Sequence, residues 1–307
     1  MNSLFNEVVS LSTEQNNPNT KNIDTLSTSD LLKTISVEDS RIVPAVNEEI
    51  EHITQGVELI VSAFKKGGRL FYVGAGTSGR LGVVDASECP PTFGVDSELV
   101  QGVIAGGDVA MFKAQEGAED SIEEGKNVIN KYHITKSDVI CGIAASGRTP
   151  FVRGALDAGI ESGIPTILVT TNSRVNLLQL GVNADCIIAP QVGPEVIAGS
   201  TRMKSGTAQK LVLNMLTTAS MIRIGKTYGN IMVDVQPTNA KLKERAKKII
   251  MDLTGCTYEV AQITLIESGY NVKVSLVMLI SGVGRAEAVS RLMKADGVVR
   301  VALETHS

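Results

Sequence analysis

The chain has 307 residues, a net charge of −4 with histidine neutral, and 4% aromatic residues with no tryptophan. The negative charge and the shortage of aromatic rings argue against a partner nucleic acid, which is bound through phosphate neutralisation and base stacking. No apolar stretch approaches the ~20 residues of a membrane helix, so we expect no membrane partner. A chain of this length folds as one large domain or as two ordinary ones.

Cysteine and histidine usage argues against a metal site. The three histidines and four cysteines form no CxxC pair and are widely spaced. We therefore expect no metal, no cofactor and a reduced, cytoplasmic setting. The first residues have no basic flank and no long apolar core, so we also expect no signal peptide.

The first part of the chain is predicted to be an arm followed by helices. Residues 13–30 are polar, and Ser29-Asp30 is a candidate cap for a helix over about 30–36. From Val43 to Lys65 the apolar residues recur at helical spacing, which predicts one amphipathic helix.

The stretch that follows contains a strand, a glycine-rich turn and a helix start. The apolar run at 70–73 predicts a buried strand, and residues 74–79 fit the GxGxxG spacing. We expect the next helix to begin at about Arg80. Free backbone N–H groups and the helix dipole make such a turn an anion site, and Thr77 and Ser78 add hydroxyl donors.

Further strands alternate with helical segments. The predicted strands lie at 99–105, 139–144, 166–170 and 186–189, with helices over about 109–131 and 151–162. This alternation predicts an α/β fold with a doubly wound, parallel, five-stranded sheet. A hydroxyl-rich loop from Gly199 enters a long apolar helix, and glycines punctuate short helices after Pro237.

A second hydroxyl turn echoes the first. Residues 145–148, Ala-Ser-Gly-Arg, and residues 77–80, Thr-Ser-Gly-Arg, each follow a predicted strand and open a helix. Both turns should face one crevice at the carboxyl ends of the strands. Such a pair suits a phosphate monoester better than a dinucleotide, since Glu98 precedes the second strand instead of ending it. A tight turn without any ligand is the structural alternative.

Two carboxylates are candidates for acid–base chemistry. Glu88 lies just before Cys89-Pro90-Pro91, and Glu119 lies in an acidic stretch. From pattern alone, Glu119 is also explained as part of a solvated helix face and Glu88 as an ordinary surface residue. Cys89 has no histidine near it in sequence, so we expect a small buried cysteine there rather than a nucleophile.

Long ordered blocks resemble those of the N-acetylmuramic acid 6-phosphate etherases, a family of sugar isomerase (SIS) domain lyases. The similarity covers essentially the whole chain. The blocks are GAGTSGRLG through DASECPPTFG at 74–94, IAGG at 104–107, EGAED at 116–120, GIAASGRTP at 142–150 and GSTRMKSGTAQKLVLNM at 199–215. Other SIS domains, including the glucokinase regulatory protein, are more distant; that protein binds sugar phosphates without catalysis.

The resemblance implies a cytoplasmic homodimer with a flavodoxin-like SIS domain. It implies cleavage of the D-lactyl ether of N-acetylmuramic acid 6-phosphate to N-acetylglucosamine 6-phosphate and D-lactate, in cell-wall amino-sugar recycling. The expected segments are an N-terminal arm with short helices (1–42), the SIS sugar-phosphate domain (43–236) and a helical C-terminal domain (237–307). A non-catalytic sugar-phosphate-sensing regulator is the alternative, and an SIS isomerase is a third possibility.

The resemblance also implies the site residues. The catalytic pair falls on Glu88 and Glu119, one as acid and one as base. We assign Glu88 as the acid, although the sequence does not decide the order. The substrate or phosphate contacts fall on Thr77, Ser78, Gly79, Arg80, Ser146, Gly147, Arg148 and Thr149, with Ser200, Arg202 and Lys204 as further substrate-binding candidates. Thr201 stands where the family more often has serine.

Overall fold

A computed structural model describes residues 11–115, 117–235 and 237–304. The chain forms two compact units. The first comprises Met1–Glu88 and Ser97–Thr217, and the second comprises Cys89–Asp96 and Thr218–Ser307. The second unit thus takes in residues before 237 that we predicted to belong with the sheet; the predicted domain boundaries stay a prediction.

The strands and helices follow the predicted alternation. The strands of the sheet are β1 (Leu70–Gly74), β2 (Val100–Ile104), β3 (Val139–Ile143), β4 (Thr166–Val169) and β5 (Cys186–Ile188). The helices up to residue 223 are α1 (Thr28–Asp39), α2 (Ile42–Asn47), α3 (Ile50–Lys65), α4 (Gly76–Phe93), α5 (Val109–Phe112), α6 (Ile122–Lys131), α7 (Pro150–Glu161), α8 (Arg174–Gln179) and α9 (Lys204–Arg223).

Within the described residues the five strands are all parallel, in the order β2-β1-β3-β4-β5. This is the order of flavodoxin-like doubly wound sheets, and it confirms the predicted fold class. The order reverses between β1 and β3, where Gly74 lies in register with Ile143. In open sheets of this kind the crevice at that reversal, beyond the carboxyl ends of the strands, is where ligands bind.

The sheet is held by burial on both faces. All five residues of β1 and all five of β3 are buried, as expected for central parallel strands covered by helices. Phe71, Val73 and Ile140 belong to one apolar cluster with residues of α6 and α7. Each such side chain stabilises the fold by about 1.5–3 kcal/mol through removal from water, which makes the strand ends a rigid base for the loops.

Several predicted element boundaries are wrong. The helix after β1 begins at Gly76 instead of about Arg80, and the helix predicted over 109–131 is interrupted between α5 and α6. The single helix predicted over 43–65 is broken between α2 and α3. In the arm, the cap of α1 is Ser27, whose hydroxyl accepts from the Asp30 N–H, instead of Ser29-Asp30.

The second unit contains a short antiparallel hairpin and a set of helices. These elements are β6 (Thr227–Tyr228), β7 (Ile231–Met232), α10 (Ala240–Thr254), α11 (Tyr258–Glu267), α12 (Val272–Ser281), α13 (Arg285–Lys294) and α14 (Val299–Glu304). The predicted punctuation by glycine is confirmed, because Gly255, Gly269, Gly282 and Gly297 separate successive helices, all at positive φ. They end helices because glycine adopts this left-handed conformation without steric cost.

No single helix of the described residues combines the length and apolar character needed to cross a membrane; α10 and α11 satisfy those criteria only jointly, with a bend of 113° between them.

Candidate functional site

The two hydroxyl turns line one cavity at the carboxyl ends of β1 and β3. Its volume is about 540 Å³, within the usual range for a small-molecule site. Of the residues predicted from sequence, the cavity brings together Thr77, Ser78, Glu119, Ser146, Arg148 and Thr149. The predicted convergence of the two turns in one crevice is therefore confirmed.

The first turn is the N-terminal turn of α4. Gly76 opens the helix at φ +51°, a conformation that favours glycine. Gly79 is buried, and a Cβ there would lie 2.7 Å from Ile104 Cγ1 and 2.8 Å from the Gly74 carbonyl oxygen. Glycine is therefore required here for close packing of helix on strand; Gly79 is not among the residues that line the cavity, and its part in substrate binding stays a prediction. The first-turn N–H groups of this long helix lack intrahelical partners, so they favour an anion at this end.

The second turn is fixed by hydrogen bonds to its backbone. The hydroxyls of Thr170 and Thr171 donate to the Ala145 carbonyl at 2.9 and 3.1 Å, and Asn172 Nδ2 donates to the Ser146 carbonyl at 3.0 Å. Gly147 is buried at φ +73°, where a Cβ would lie 2.3 Å from Leu177 Cδ2. The Ser146 side chain is held toward the start of α7, because its Oγ accepts from the Arg148 N–H at 3.3 Å.

A further wall, partly outside the predicted motifs, closes the cavity. It consists of Leu11, Thr13 and Glu14 from the N-terminal segment and Gly199 and Thr201 from the loop before α9. The two parts are joined, since the Gly199 N–H donates to the Thr13 carbonyl at 3.0 Å. The sequence indicated only the second part of this wall, through the block at 199–215.

Lys204 is not among the residues that line the cavity, and it supports the wall through hydrogen bonds to the N-terminal segment. Its ammonium is fully buried and donates to Glu38 Oε2 at 2.7 Å, and Asn17 Nδ2 donates to the same oxygen at 2.7 Å. Burial raises the pKa of Glu38, but the hydrogen bonds from Lys204, Asn19 and Asn17 outweigh it and lower the pKa to about 2. Lys204 therefore ties α1 to α9, which favours a structural role over substrate contact.

The start of α9 is capped by a second buried carboxylate. Glu195 is fully buried and accepts from the backbone N–H groups of Lys204 and Ser205 at 3.0 and 2.9 Å. These bonds satisfy two of the free N–H groups at the helix start, and the negative charge is favourable at that end. Ser200 and Arg202 lie in the loop before α9, and neither is among the residues that line the cavity.

The two predicted catalytic carboxyls occupy different places. Glu119 is exposed in a short 3₁₀ turn, Ala118–Asp120, and lines the cavity together with Asp120. Glu88 is exposed on α4 and does not line it. Since it follows Ser78 by ten residues on one helix, Glu88 is displaced from the hydroxyl turn by about 15 Å along the axis.

Ser78 has a buried neighbour that the sequence did not indicate. Its hydroxyl donates to Gln209 Oε1 at 2.9 Å, and Gln209 is 1% exposed. The Nε2 of Gln209 is buried without a hydrogen-bond partner among the described residues. A buried amide without a hydrogen-bond partner is energetically costly. We therefore expect the Gln209 side chain to change its hydrogen bonds when an anion binds to Ser78.

One turn before Glu88, a buried carboxyl fixes α4. Asp85 accepts from the Tyr72 hydroxyl at 3.0 Å and from Asn214 Nδ2 at 2.6 Å. Burial raises the pKa of Asp85, and hydrogen bonds from Asn214 and Tyr72 act in the opposite direction. These contacts join α4 to β1 and α9, so the helix that carries the first hydroxyl turn is held at mid-length as well as at its start.

A further cavity, of about 460 Å³, lies beside the edge strand β2 and α6. It contains none of the residues predicted for the site, so its size alone does not make it the functional site. Among the described residues, no group of three or more histidine, cysteine, aspartate or glutamate side chains is placed to hold a metal ion.

Comparisons with known proteins identify the family of this chain. The family model for the N-terminal SIS domain of the glucokinase regulatory protein matches residues 52–160, and the model for its C-terminal lid domain matches residues 229–303. A protein of Salinibacter ruber named N-acetylmuramic acid 6-phosphate etherase is 54% identical over 98% of this chain and 96% of its own length. The chain belongs to the N-acetylmuramic acid 6-phosphate etherase family.

Other members of the etherase family are nearly as similar. The protein of that name from Rhizobium rhizogenes is 51% identical over 98% of this chain and 97% of its own length. The one from Lactiplantibacillus plantarum, named N-acetylmuramic acid 6-phosphate etherase 2, is 51% identical over 95% of this chain and 98% of its own length. The family similarity predicted from the motif blocks is thus confirmed over nearly the whole chain.

Proposed function

We propose that this chain cleaves the D-lactyl ether of N-acetylmuramic acid 6-phosphate, giving N-acetylglucosamine 6-phosphate and D-lactate. The observation that carries the proposal is the presence of Glu119 in the same cavity as the hydroxyl turns at Ser78 and Ser146. The turns suit a phosphate monoester, whose oxygens accept hydrogen bonds from hydroxyls and N–H groups. A carboxylate beside them suits proton abstraction from the attached sugar.

The reaction is an elimination followed by addition of water. In the open-chain sugar the C1 aldehyde acidifies the C2 proton, and the Glu119 carboxylate removes it. The C2–H electron pair forms a C2=C3 double bond, while the C3–O bond breaks and its electrons leave with the lactate oxygen. Glu88 in its acid form gives that oxygen a proton. Water then adds at C3, and C2 regains a proton.

The hydroxyl turns and the two carboxyls have different parts in this proposal. Thr77, Ser78, Ser146 and Thr149 bind the phosphate, with Arg148 at the same turn. Glu119 is the base and Glu88 the acid. Because Glu88 lies outside the cavity formed by one chain, we further propose a homodimer in which the partner's copy brings this carboxyl to the ether oxygen. The setting we propose is cytoplasmic recycling of cell-wall amino sugars.

The direct test is incubation with N-acetylmuramic acid 6-phosphate and an assay for released D-lactate. In deuterated water the product sugar should carry deuterium at C2. In ¹⁸O-water the new C3 hydroxyl should carry the label and the lactate hydroxyl should not, because the ether breaks on the sugar side. A product still fully protonated at C2 would exclude elimination.

The same assay addresses the alternative of a sugar-phosphate-sensing regulator. Both matched family models bear the name of a regulatory protein, so binding without turnover is a meaningful outcome. A regulator would bind the sugar phosphate and release no lactate. The carboxylate in the cavity and the etherase relatives favour the enzyme.

A further inference from the structure

A small side pocket opens beside the phosphate cavity. Its volume is about 260 Å³, and it shares Ala75, Gly76 and Glu119 with the larger cavity. The rest of its described lining is Arg80, Ala105, Ala110, Ala114, Gln115, Gly117 and Ala118. We call this the Arg80 pocket. Its walls are mostly methyl groups and backbone, and Glu119 stands at the boundary between the two spaces.

Arg80 supplies the positive charge of this pocket. Its side chain is half-buried, and its Nε donates to the Met111 carbonyl at 3.0 Å. That bond fixes the side chain, while the two Nη groups have no hydrogen-bond partner among the described residues. Because successive helical residues are rotated by about 100°, Arg80 and Ser78 point to opposite sides of α4, and this explains why they line different spaces.

We propose that the Arg80 pocket binds a carboxylate on a short methyl-bearing chain, which in the proposed substrate is the D-lactyl group at C3. A guanidinium offers parallel N–H donors that match the two oxygens of a carboxylate. The alanine walls accommodate the methyl group and exclude a larger chain. This inference rests on the proposed function and names which part of the site selects the ether side group.

The position of Glu119 agrees with this division of the substrate. The phosphate on C6 lies toward the hydroxyl turns, and the lactyl group on C3 lies toward Arg80. The C2–C3 bond then falls at the boundary, beside the carboxylate that removes the C2 proton. Arg80 also neutralises the carboxylate of the bound lactyl group, which would otherwise lie close to the negative charge of Glu119 before the C2 proton is removed.

The test uses Arg80→Met, which removes the charge and keeps an unbranched stem. Arg153→Met is the matched control, because Arg153 is also a half-buried arginine on a helix and lines neither space. Two reactions are measured for each variant. One is lactate release from N-acetylmuramic acid 6-phosphate, and the other is exchange of the C2 proton of N-acetylglucosamine 6-phosphate in deuterated water, which needs no lactyl group.

For Arg80→Met, kcat/KM for lactate release should fall about 10- to 100-fold, as expected for loss of a hydrogen bond to a charged group. C2 exchange should stay within about threefold, within the small changes of an uninvolved contact. Arg153→Met should change neither. With the lactyl carboxylate replaced by its amide, the wild type should lose activity and Arg80→Met should show little further loss.

Two results would overturn the inference. One is wild-type lactate release by Arg80→Met, and the other is an equal fall in release and exchange, which would indicate a structural role. Failure of the proposed function is distinguishable, because the wild type itself would then release no lactate and exchange no C2 proton, and the inference would fall with it.

Discussion

Ser78 carries a single hydroxyl proton, and in the structure it donates that proton to Gln209 Oε1. A phosphate dianion only accepts hydrogen bonds, so Ser78 must turn its proton away from Gln209 to bind one. If the Gln209 amide rotates by half a turn, its Nε2 donates to the Ser78 oxygen. The buried Nε2 is then satisfied, and the serine proton faces the cavity. Gln209 therefore orients the serine for an anion.

We predict that Gln209→Glu weakens substrate binding. The introduced carboxylate cannot donate a hydrogen bond to Ser78 and instead accepts one from the serine hydroxyl. It also places a negative charge beside the phosphate. KM should rise at least about tenfold, as for loss of a hydrogen bond to a charged group, while kcat stays within about threefold. Steady-state kinetics of Gln209→Glu and Gln209→Met are compared. The methionine variant lacks the amide without adding a charge, so the difference between the two variants gives the effect of the charge. A fall in kcat at unchanged KM would contradict this role.

Glu119 and Glu88 can be distinguished by the step that each loses. Glu119→Gln should abolish C2 exchange in N-acetylglucosamine 6-phosphate, and Glu88→Gln should keep exchange but lose lactate release by about 10²–10⁴-fold. Mass spectrometry of the sugar and an enzymatic lactate assay measure both.

Glu14→Gln is the matched comparison for these variants, because Glu14 is another exposed carboxylate that lines the cavity. It should lose little activity. Exchange that survives in Glu119→Gln but not in Glu88→Gln would reverse the two assignments. A loss of lactate release in Glu14→Gln alone would show that the acid comes from the N-terminal segment.

How far the site was predictable depends on the distance between contacting residues in the sequence. Ser78 and Ser146 sit in local strand–turn–helix patterns, so their convergence followed from the rule for parallel sheets. Gln209 contacts Ser78 across 131 positions, and no local pattern encodes that pairing. For the same reason the wall at Glu14 was not predicted, and Lys204, which looked like a ligand contact beside a hydroxyl-rich loop, is buried on Glu38.

At the scale of elements, α1 and α9 are joined by charge as well as by packing. Lys204 and Glu38 are 0% and 1% exposed, whereas the pair Lys33–Asp30 on α1 is 73% and 59% exposed. Removal of one partner from a buried pair is strongly destabilising, because the remaining charge is left unpaired and out of water. An exposed pair is screened and contributes little. Because both carboxylates lie on α1, the two pairs provide a matched comparison.

We predict that Glu38→Gln lowers the free energy of unfolding by about 3–5 kcal/mol, the usual cost of leaving a buried charge without its partner. Asp30→Asn should change it by about 1 kcal/mol or less. Denaturant unfolding of both variants and of the double variant Glu38→Gln/Lys204→Met measures this. The double variant should recover much of the loss. Equal effects of the two single variants would show that the buried pair has no special weight.

The same carboxyl predicts a pH dependence. Its pKa is lowered from 4.5 to about 2 in the folded chain, so the unfolded state takes up the proton first. The stabilisation, about 3 kcal/mol by linkage, is fully present above about pH 4.5 and is lost as the pH falls toward 2. Unfolding free energies measured between those values should fall steeply in the wild type and less steeply in Glu38→Gln.

Element boundaries were less predictable than element types. Glycine normally ends or precedes a helix, so the sequence suggested that α4 begins after Gly79. The structure begins it at Gly76, because positive φ at that residue turns the chain and Gly79 is needed for close packing inside the first turn. The break before α6 follows from Ser121, whose hydroxyl accepts from the Glu124 N–H and caps a new helix.

At the scale of the whole molecule, the separation of Glu88 from the cavity gives a test of the proposed dimer. Glu88→Gln and Glu119→Gln should each be inactive alone. If the partner's copy supplies Glu88, a mixed dimer contains one site with both carboxyls intact. Unfolding and refolding an equal mixture should then restore about a quarter of wild-type lactate release, because half of the dimers are mixed and each has one complete site.

A mixture that stays inactive after subunit exchange, confirmed by separating tagged copies, would place Glu88 in its own chain's site. The Arg80→Met and Glu119→Gln variants are the control pair. Both residues line one pocket of the same chain, so in a mixed dimer of this pair one site lacks Arg80 and the other lacks Glu119. Lactate release should therefore not rise when these two variants are mixed.

The anchoring of the N-terminal segment also has a consequence for the order of events during synthesis. The hydrogen bonds that hold this segment join residues 166 to 177 positions apart, from Asn17 to Pro194 and from Glu38 to Lys204. Contacts that close such long loops form late, because the chain loses conformational entropy on closing the loop before the contacts stabilise it. A growing chain that has passed Thr149 already contains the residues of both hydroxyl turns, but it gains the last wall of the cavity only after Lys204 has left the ribosome. Completion of the cavity is therefore expected among the last steps in folding of this unit, and an intermediate that lacks the wall would leave the cavity open to solvent.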